Sequence, residues 1–288
     1  MADEVLVIAN GAAAPVIAVG AGESRAIALR VVSRGDGAHA AAVRITVAEG
    51  GRLELFESYE GQGSYLAQTS LVLELAAGAA VERLVLAEED PEGVAVSDAE
   101  VRLSADASFG QTVLVSGARR QRIETRVGHP GGHAQLRLDG AYLLSGKRHA
   151  DITTVVTHQG VDGVTGQLTK GVVRDQARGV FQGRIVVAEG ADRTDARMGH
   201  HALILSDRAE VDAKPELEIY ADDVSCAHGN TVGALDEDAL FYAEQRGIPA
   251  DEAKALLTEA FVGEVADRIG HDGAREIVRA WLAERLRG

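Results

Sequence analysis

Short runs in which apolar and polar residues alternate make up most of this sequence, and glycine or aspartate follows most of them. Such alternation places successive side chains on opposite faces of a β-strand. The chain contains 33 glycines and only 5 prolines, so its turns depend on backbone conformations that glycine adopts without strain. The pattern continues to about residue 233 and includes no helical stripe long enough for the crossover of a doubly wound sheet. The clearest runs are RLELF (52–56), SLVLELAAG (70–78), AQLRLDG (134–140), GRIVVAEG (183–190) and HALILSD (201–207).

Many short strands separated by turns predict a sandwich, a barrel or a solenoid. Aromatic residues make up only 4% of the chain, which fits the thin aliphatic interior of a β-helix better than the core of a sandwich. There is no strict hexapeptide or nonapeptide repeat. The pattern therefore predicts a mainly β fold and favours a parallel β-helix.

The hydrophobic period changes after residue 233. Asp236 is a suitable N-cap and Gly247 a suitable end for a first helix, Pro249 is suited to open a second, and a third is expected from about Asp272. We therefore expect a β-helix core over residues 1–233 and a small helical domain over residues 234–288.

The predicted helices carry apolar faces. In a purely structural interpretation these faces pack on one another and on the end of the β region, where a solenoid otherwise exposes its last strands, but three short helices offer more apolar surface than one cap requires. The side chains expected on the faces are Ala253, Leu256, Leu257, Ala260, Phe261 and Val265 in the second helix and Ile277, Val278, Trp281 and Leu282 in the third.

The only cysteine of the chain, Cys226, is followed two residues later by His228. On a strand these two side chains share one face, and thiolate and imidazole are both ligands for transition metals. Two ligands are too few for an iron–sulfur cluster, which usually takes four. If metal chemistry occurs here, another chain must complete the site. His228, if protonated, would also lower the pKa of Cys226.

The net charge of −15 argues against nucleic acid and against an anionic membrane surface as partners. The first residues lack the basic segment of a signal peptide, and no apolar run reaches the length of a membrane span. A single cysteine excludes an intrachain disulfide and fits a reducing compartment. We expect a cytoplasmic protein.

Three segments resemble the SufB/SufD family of the SUF iron–sulfur cluster assembly system. They are HADITTVVTHQGVDGVTGQLTKGVV (149–173), GVFQGRIVVAEGADRTDARMGHHALILSDRAEVDAKPE (179–216) and PELEIYADDVSCAHGNTVGALDEDALFYAEQRGIPADEAKALLTEAFVGEVADRI (215–269). The last segment is similar to the C-terminal signature of the SufD members. SufB members usually carry further cysteines and lack the EIYADDV-C-x-H-G phrase.

The resemblance implies a right-handed parallel β-helix with a C-terminal helical domain, in a non-catalytic scaffold subunit. It implies pairing with a SufB paralogue and binding of the ABC-type ATPase SufC through the helices. Cys226 and His228 would then be iron or cluster ligands near the SufB contact. No stably bound cofactor is expected, only iron or a cluster held transiently and shared with SufB. The residues we would test for ATPase docking are Leu240, Phe241, Phe261 and Trp281.

Two other functions remain open. The chain could be a stand-alone homodimeric β-helix scaffold, because solenoid edges and apolar helix faces allow self-pairing. It could also be a thiol-dependent enzyme that uses Cys226 and His228, although no third orienting residue is evident. Typical SufD relatives have a helical region before the β-helix, whereas this chain begins almost directly in β structure.

Several other features are expected to be structural. His129 and His133 in GHPGGH are expected in a surface turn, and the acidic pair Glu88-Glu89 on the solvated surface. His200 and His201 should point to opposite faces of a strand, so they cannot serve one site. The segment AYLLSGKR (141–148) resembles a phosphate-binding loop but lacks its first glycine and its final serine or threonine.

Overall fold

The computed structural model describes residues 2–11 and 14–286, and its dominant feature is a pair of parallel β-sheets. Strands are numbered in chain order, and the chain alternates between the two sheets. The nine-stranded sheet contains β1 (Glu4–Ala9), β3 (Ser24–Arg34), β5 (Arg52–Gln62), β7 (Ala80–Glu88), β9 (Ser108–Val115), β11 (Gln135–Leu144), β13 (Val164–Val173), β15 (Thr194–Ile204) and β17 (Val224–Gly233). The eight-stranded sheet contains β2 (Val16–Val19), β4 (Gly37–Val47), β6 (Tyr65–Leu75), β8 (Val94–Leu103), β10 (Arg120–His129), β12 (His149–His158), β14 (Arg178–Val187) and β16 (Glu210–Ile219).

Each coil of this solenoid contributes one strand to each sheet. Ser24 pairs with Arg52, Arg52 with Ala80, and Ala80 with Ser108, so these early coils comprise 28 residues each. Every strand–strand ladder is parallel, because equivalent strands of successive coils run in the same direction. The predicted parallel β-helix followed by C-terminal helices is confirmed.

The solenoid interior is filled by the inward side chains of both sheets. In β6, for example, Leu71, Leu73 and Leu75 are buried, while the residues between them are partly exposed. This period of two is the alternation visible in the sequence. Burial of these aliphatic rows is the main stabilisation of the coils.

The turns between coils require left-handed backbone conformations at equivalent positions. Gly22, Gly50 and Gly78 have φ angles of +67°, +64° and +65°, and Asp106 has +57° at the corresponding position of the next coil. The amide of Gly50 donates a hydrogen bond to the carbonyl oxygen of Ala77 one coil further on. Glycine is favoured here because it adopts positive φ without strain.

A buried ion pair interrupts the apolar interior. The guanidinium of Arg83 donates to both carboxylate oxygens of Glu57, each at 2.7 Å, and to the Oε1 atom of Gln111 at 2.7 Å. The hydroxyl of Tyr59 donates to Glu57 at 2.8 Å. All four residues are buried, so this network replaces the water that the charges lose on folding.

Three helices follow the solenoid: α1 (Glu237–Gln245), α2 (Ala250–Asp267) and α3 (Asp272–Leu286). The predicted cap of the first helix is confirmed, because the Asp236 side chain accepts hydrogen bonds from the amides of Asp238 and Ala239. Gly247 follows α1 with a φ angle of +87°, as expected for a residue that ends a helix. The division into domains at residues 233 and 234 stays a prediction. No helix in the described ranges is both long and apolar enough to cross a membrane.

Helices α2 and α3 lie on the outer face of the nine-stranded sheet, so the interpretation that the helices pack on the end of the β region is wrong for these two. Val262, Val265, Val278 and Leu282 share one buried cluster with outward-facing sheet residues such as Leu168. The outer face of β7, β9, β11 and β13 is itself apolar, so covering it buries more surface than capping one edge would.

The expected helix faces are correct only in part. Ala253, Val265, Val278, Trp281 and Leu282 are buried as predicted. Leu256 and Ile277 remain 48% and 44% exposed, and Val262 and Ala266 are buried instead of Ala260. Which residues of a helix are buried depends on the direction in which the sheet lies. The helical period alone does not determine that direction.

Ion pairs fasten the helices to the sheet. The Arg268 guanidinium lies 2.9 Å from the buried carboxylate of Asp139, and Lys170 lies 2.7 Å from Glu264. Glu88 accepts hydrogen bonds from the Trp281 indole at 2.7 Å and from Arg285. The expectation that both carboxylates are solvated is therefore wrong for Glu89, which is buried against the Tyr65 hydroxyl, whereas the Glu88 side chain is 40% exposed and still anchors α3.

Candidate functional site

The strand that carries Cys226 and His228, β17, forms the edge of the nine-stranded sheet. It pairs with β15 on one side, and within the described ranges no strand pairs with its other side. β16 occupies the corresponding edge of the eight-stranded sheet. The last coil therefore ends in backbone N–H and C=O groups that are free to pair with another strand.

The expected strand geometry of the Cys-x-His pair is confirmed. Cys226 lies beside Ala196 and His228 lies beside Met198 in the parallel register. Cys226 is half-buried and packs against the solenoid core, whereas His228 is exposed. The two side chains share one face of an open edge strand, where an incoming chain could reach both.

The environment of Cys226 favours the neutral thiol over the thiolate. Burial raises the pKa of the Cys226 thiol and the carboxylate of Asp195 raises it further, while a backbone hydrogen bond from Ala196 acts in the opposite direction. The sequence-based suggestion that a protonated His228 lowers this pKa stays a prediction. A neutral thiol is a weak nucleophile, but it can still become a ligand when a metal displaces its proton.

Cys226 and His228 form an incomplete ligand set. Across the described ranges, no group of three or more histidine, cysteine, aspartate or glutamate side chains is arranged to hold a metal ion. Any stable metal or cluster site at this edge therefore needs ligands from outside the described part of the chain.

A hydrogen-bonded row beneath the edge was not predicted from the sequence. Asn230 follows His228 with the same spacing of two, and its Oδ1 atom lies 2.7 Å from Nδ1 of His200. Nε2 of His200 lies 3.0 Å from the hydroxyl of Tyr142, and its ring stacks on Phe181 at 4.7 Å between centroids. Burial lowers the pKa of His200 to about 4, so the imidazole is neutral near pH 7. The only signal in the sequence was the continued spacing Cys226-x-His228-x-Asn230.

The predictions for the other histidines are confirmed only in part. His200 and His201 point to opposite faces as predicted, since His200 is buried and His201 bonds the exposed Thr231. His133 lies in an exposed turn, but His129 is fully buried and stacks on His158 at 4.3 Å between ring centroids. The expectation of a surface turn is therefore wrong for His129, because it is the last residue of β10 and is buried.

The four side chains named for ATPase docking have different environments. Phe241 on α1 is 62% exposed and Leu240 is half-buried. Phe261 is half-buried beneath the ammonium group of Lys170, which lies 4.5 Å from the ring centroid. Trp281 is 5% exposed and belongs to the core between α3 and the sheet. Phe241 is thus the most accessible of the four.

Comparison with known proteins identifies the family to which this chain belongs. Residues 30–261 match the family model described as "SUF system FeS cluster assembly, SufBD core domain". The chain belongs to the SufBD family. The family core thus covers most of the solenoid, the edge strand with Cys226 and His228, the helix α1 and the larger part of α2.

Three SufBD relatives illustrate the similarity. The chain is 32% identical to the iron-sulfur cluster assembly protein SufD of Escherichia coli, over 85% of this chain and 58% of that protein. It is 33% identical to SufD of Bacillus subtilis, over 46% of this chain and 30% of that protein. It is 38% identical to a SufBD family protein of Synechocystis, over 44% of this chain and 28% of that protein. The matched part of the chain thus spans less than two thirds of each of these relatives.

Proposed function

We propose that this chain is a non-catalytic scaffold subunit of a SUF iron–sulfur cluster assembly complex in the cytoplasm. In this proposal it pairs with a SufB paralogue and with the SufC ATPase. Cys226 and His228 contribute two ligands for iron or a cluster that is shared with SufB and held only transiently. The carrying observation is the placement of an incomplete Cys-x-His set on an open edge strand.

The open end of the solenoid supports pairing with another β-solenoid. The edges of β16 and β17 offer backbone hydrogen bonds to strands of a partner, and such strand addition is a common mode of protein recognition. A partner that extended the sheet from β17 would bring its own side chains next to Cys226 and His228. Ligands divided between two subunits suit an assembly site, because the finished cluster must leave.

The first helix supports docking of a second partner. Phe241 and Tyr242 on α1 are 62% and 60% exposed, and no residue of α1 is buried. Aromatic side chains of this kind are common anchors of protein interfaces. We propose that Leu240 and Phe241 contact the ATPase, while Phe261 and Trp281 hold α2 and α3 against the sheet.

The test is anaerobic purification of the tagged chain from its own cells, with identification of the proteins that co-elute. We expect an ABC-type ATPase and a cysteine-bearing SufBD paralogue. The purified complex is then reconstituted with iron and sulfide, and cluster formation is followed by absorbance and bound iron. Changing Cys226→Ala and His228→Ala together should abolish or strongly reduce the cluster without dissociating the complex.

A matched control changes Ser225→Ala and His201→Ala, which alter the same strand and its neighbour outside the shared face. This control should assemble the cluster normally. The proposal fails if the Cys226/His228 double variant forms the same amount of cluster as the unchanged complex. Phe241→Ser should separately weaken recovery of the ATPase while the paralogue is still recovered.

The same open edge also permits a homodimer, because β16 and β17 of two copies could pair with each other. Sedimentation of the isolated chain together with the co-purification separates the two cases. A stable dimer that recovers no partner from its own cells would favour the homodimeric scaffold. The raised pKa of Cys226 argues against a thiol-dependent enzyme.

A further inference from the structure

A cavity of about 500 Å³ lies between the nine-stranded sheet and helices α2 and α3. Its sheet side is formed at the C-terminal ends of four neighbouring strands, β9, β11, β13 and β15. The outward side chains of Leu143 and Val172 form part of its apolar wall. The volume lies in the range that small-molecule sites commonly have. This cavity is separate from the edge that carries Cys226 and His228.

Three cations line the cavity without a carboxylate partner. Arg174 follows β13, Lys254 lies in the second turn of α2, and neither side chain is within ion-pair distance of a carboxylate anywhere in the described ranges. The guanidinium of Arg148 donates only to backbone carbonyl oxygens, those of Glu89 at 3.0 Å and Gly117 at 2.6 Å. These cations are conspicuous in a chain with a net charge of −15.

Acidic residues in the cavity wall do not cancel this charge. Glu284 lies 3.6 Å from Arg285, which also binds Glu88 outside the cavity lining. The side chains that line the cavity carry four positive charges and two negative ones, those of Asp251 and Glu284, which is an excess of two positive charges. Burial lowers the pKa of Arg148, and the nearby Arg285 lowers it further against the opposite effect of Asp90.

The turn that contributes Ser145 and Arg148 to the cavity is the segment that resembles a phosphate-binding loop in sequence. Its backbone is occupied, because the Gly146 amide donates to the Asp175 side chain at 2.7 Å. The chain continues into β12 and not into a helix. Recognition in the cavity therefore depends on side-chain cations and not on a nucleotide-binding loop.

We propose that this cavity binds a small organic phosphate monoester. A phosphate monoester carries about −1.5 to −2 charges near neutral pH, which matches the cationic excess. Arg174 and Lys254 bind its oxygen atoms from opposite sides of the cavity, one from the sheet and one from α2. Its organic part packs on Leu143 and Val172.

The experiment titrates phenyl phosphate into the full chain and follows binding by calorimetry and by backbone amide NMR. We expect saturable binding with shifted amides at the ends of β11 and β13 and in the first turns of α2. Benzyl alcohol, benzoate and inorganic phosphate serve as probes that lack the charge, the dianion or the apolar part. Each should bind more weakly than phenyl phosphate.

The variants are Arg174→Gln and Lys254→Gln, both on accessible surfaces where the fold should tolerate them. Each should weaken phenyl phosphate binding about tenfold, the effect of losing one charge-assisted hydrogen bond. Arg184→Gln is the matched control, because Arg184 lies on β14 of the opposite sheet and pairs with Glu218. Thermal melting followed by circular dichroism checks that each variant is folded.

Three results would overturn the proposal. They are absence of saturable phenyl phosphate binding, equal affinity in both cavity variants and the unchanged chain, and equally tight binding of benzyl alcohol or benzoate. Inorganic phosphate that bound as tightly as phenyl phosphate would overturn the assignment of an organic ligand.

Discussion

The Nδ1 atom of His200 lies 2.7 Å from the Oδ1 atom of Asn230, and this contact connects the solenoid core to its open edge. An amide oxygen only accepts hydrogen bonds, so Nδ1 carries the proton and Nε2 is left to accept from the Tyr142 hydroxyl at 3.0 Å. The Asn230 side chain is thereby fixed on the strand face that also carries Cys226 and His228.

The first prediction concerns Tyr142→Phe. Loss of the hydroxyl leaves the buried Nε2 atom of His200 without a donor, which should cost about 1–2 kcal/mol of unfolding free energy. Urea denaturation measures this difference. Tyr220→Phe is the control, because Tyr220 is 65% exposed, and it should leave stability unchanged. Equal unfolding free energies of the two variants would show that the hydrogen bond between Tyr142 and His200 contributes nothing to stability.

The second prediction concerns the reactivity of Cys226. Because burial and Asp195 raise the pKa of its thiol, alkylation by iodoacetamide should reach half its maximal rate at a higher pH than alkylation of free cysteine. Asp195→Asn should shift this midpoint downward. The urea-unfolded chain is the control and should behave like free cysteine. An alkylation midpoint at a lower pH than that of the unfolded chain would contradict the prediction and would favour the hypothesis of a thiol-dependent enzyme.

The third prediction concerns the buried pair of Glu57 and Arg83. Arg83→Met removes the partner of a carboxylate that stays buried, so it should cost about 3–5 kcal/mol of unfolding free energy. Adding Glu57→Met should recover much of this loss, since no unpaired charge then remains. A double variant as unstable as the sum of the two single variants would exclude coupling between the two charges.

The fourth prediction concerns pH. Burial lowers the pKa of His158 from 6.5 to about 3, so between these values the unfolded chain binds more protons than the folded one. The contribution of His158 to stability is therefore complete above pH 6.5 and decreases as the pH falls toward 3, with a loss of about 2 kcal/mol by pH 5.

Urea denaturation at pH 7 and pH 5 measures this dependence. His158→Gln should reduce the loss of stability between the two values, and His133→Gln, at an exposed turn, should not. An identical pH dependence in the unchanged chain and in the His158 variant would rule out this contribution.

The fifth prediction compares two glycines. A Cβ atom at Gly171 would lie 2.1 Å from Cζ of the buried Tyr142, whereas a Cβ atom at Gly229 meets no atom within 4 Å. Gly171→Ala should therefore destabilise the fold by about 1–3 kcal/mol or more, and Gly229→Ala should be nearly neutral. Thermal unfolding of both variants gives the comparison. Similar melting temperatures would mean that Tyr142 can move aside at little cost.

The strands and helices were predictable because their signals are local. The alternation in GRIVVAEG lies within β14 and the turn after it, and Asp236, Pro249 and Asp272 lie at or next to the starts of the three helices. The packing of the helices was not predictable, since it depends on the outward side chains of strands far away in sequence. Leu256 is exposed because the sheet lies on the other side of α2.

The coil repeat could not be recognised in the sequence, because the feature that repeats is a backbone conformation and not a residue type. Glycine fills the left-handed position in three successive coils, but Asp106 fills it in the next. The candidate site, too, was predictable from the sequence only in part. Cys226 and His228 are two residues apart in sequence and were recognised, whereas Tyr142 joins the hydrogen-bonded row only because the stacked coils bring it near His200.

The ion pairs between the helical tail and the sheet bear on how the molecule unfolds. In a solenoid each coil touches only its neighbours, so such arrays tend to lose structure one segment at a time. Here the chain leaves the solenoid at β17 and returns along its side, where Arg268 binds Asp139 and Arg285 binds Glu88. Opening an inner coil therefore also breaks contacts with the tail. The tail should make the central coils melt together as one cooperative unit, while the last coil is left to fray independently.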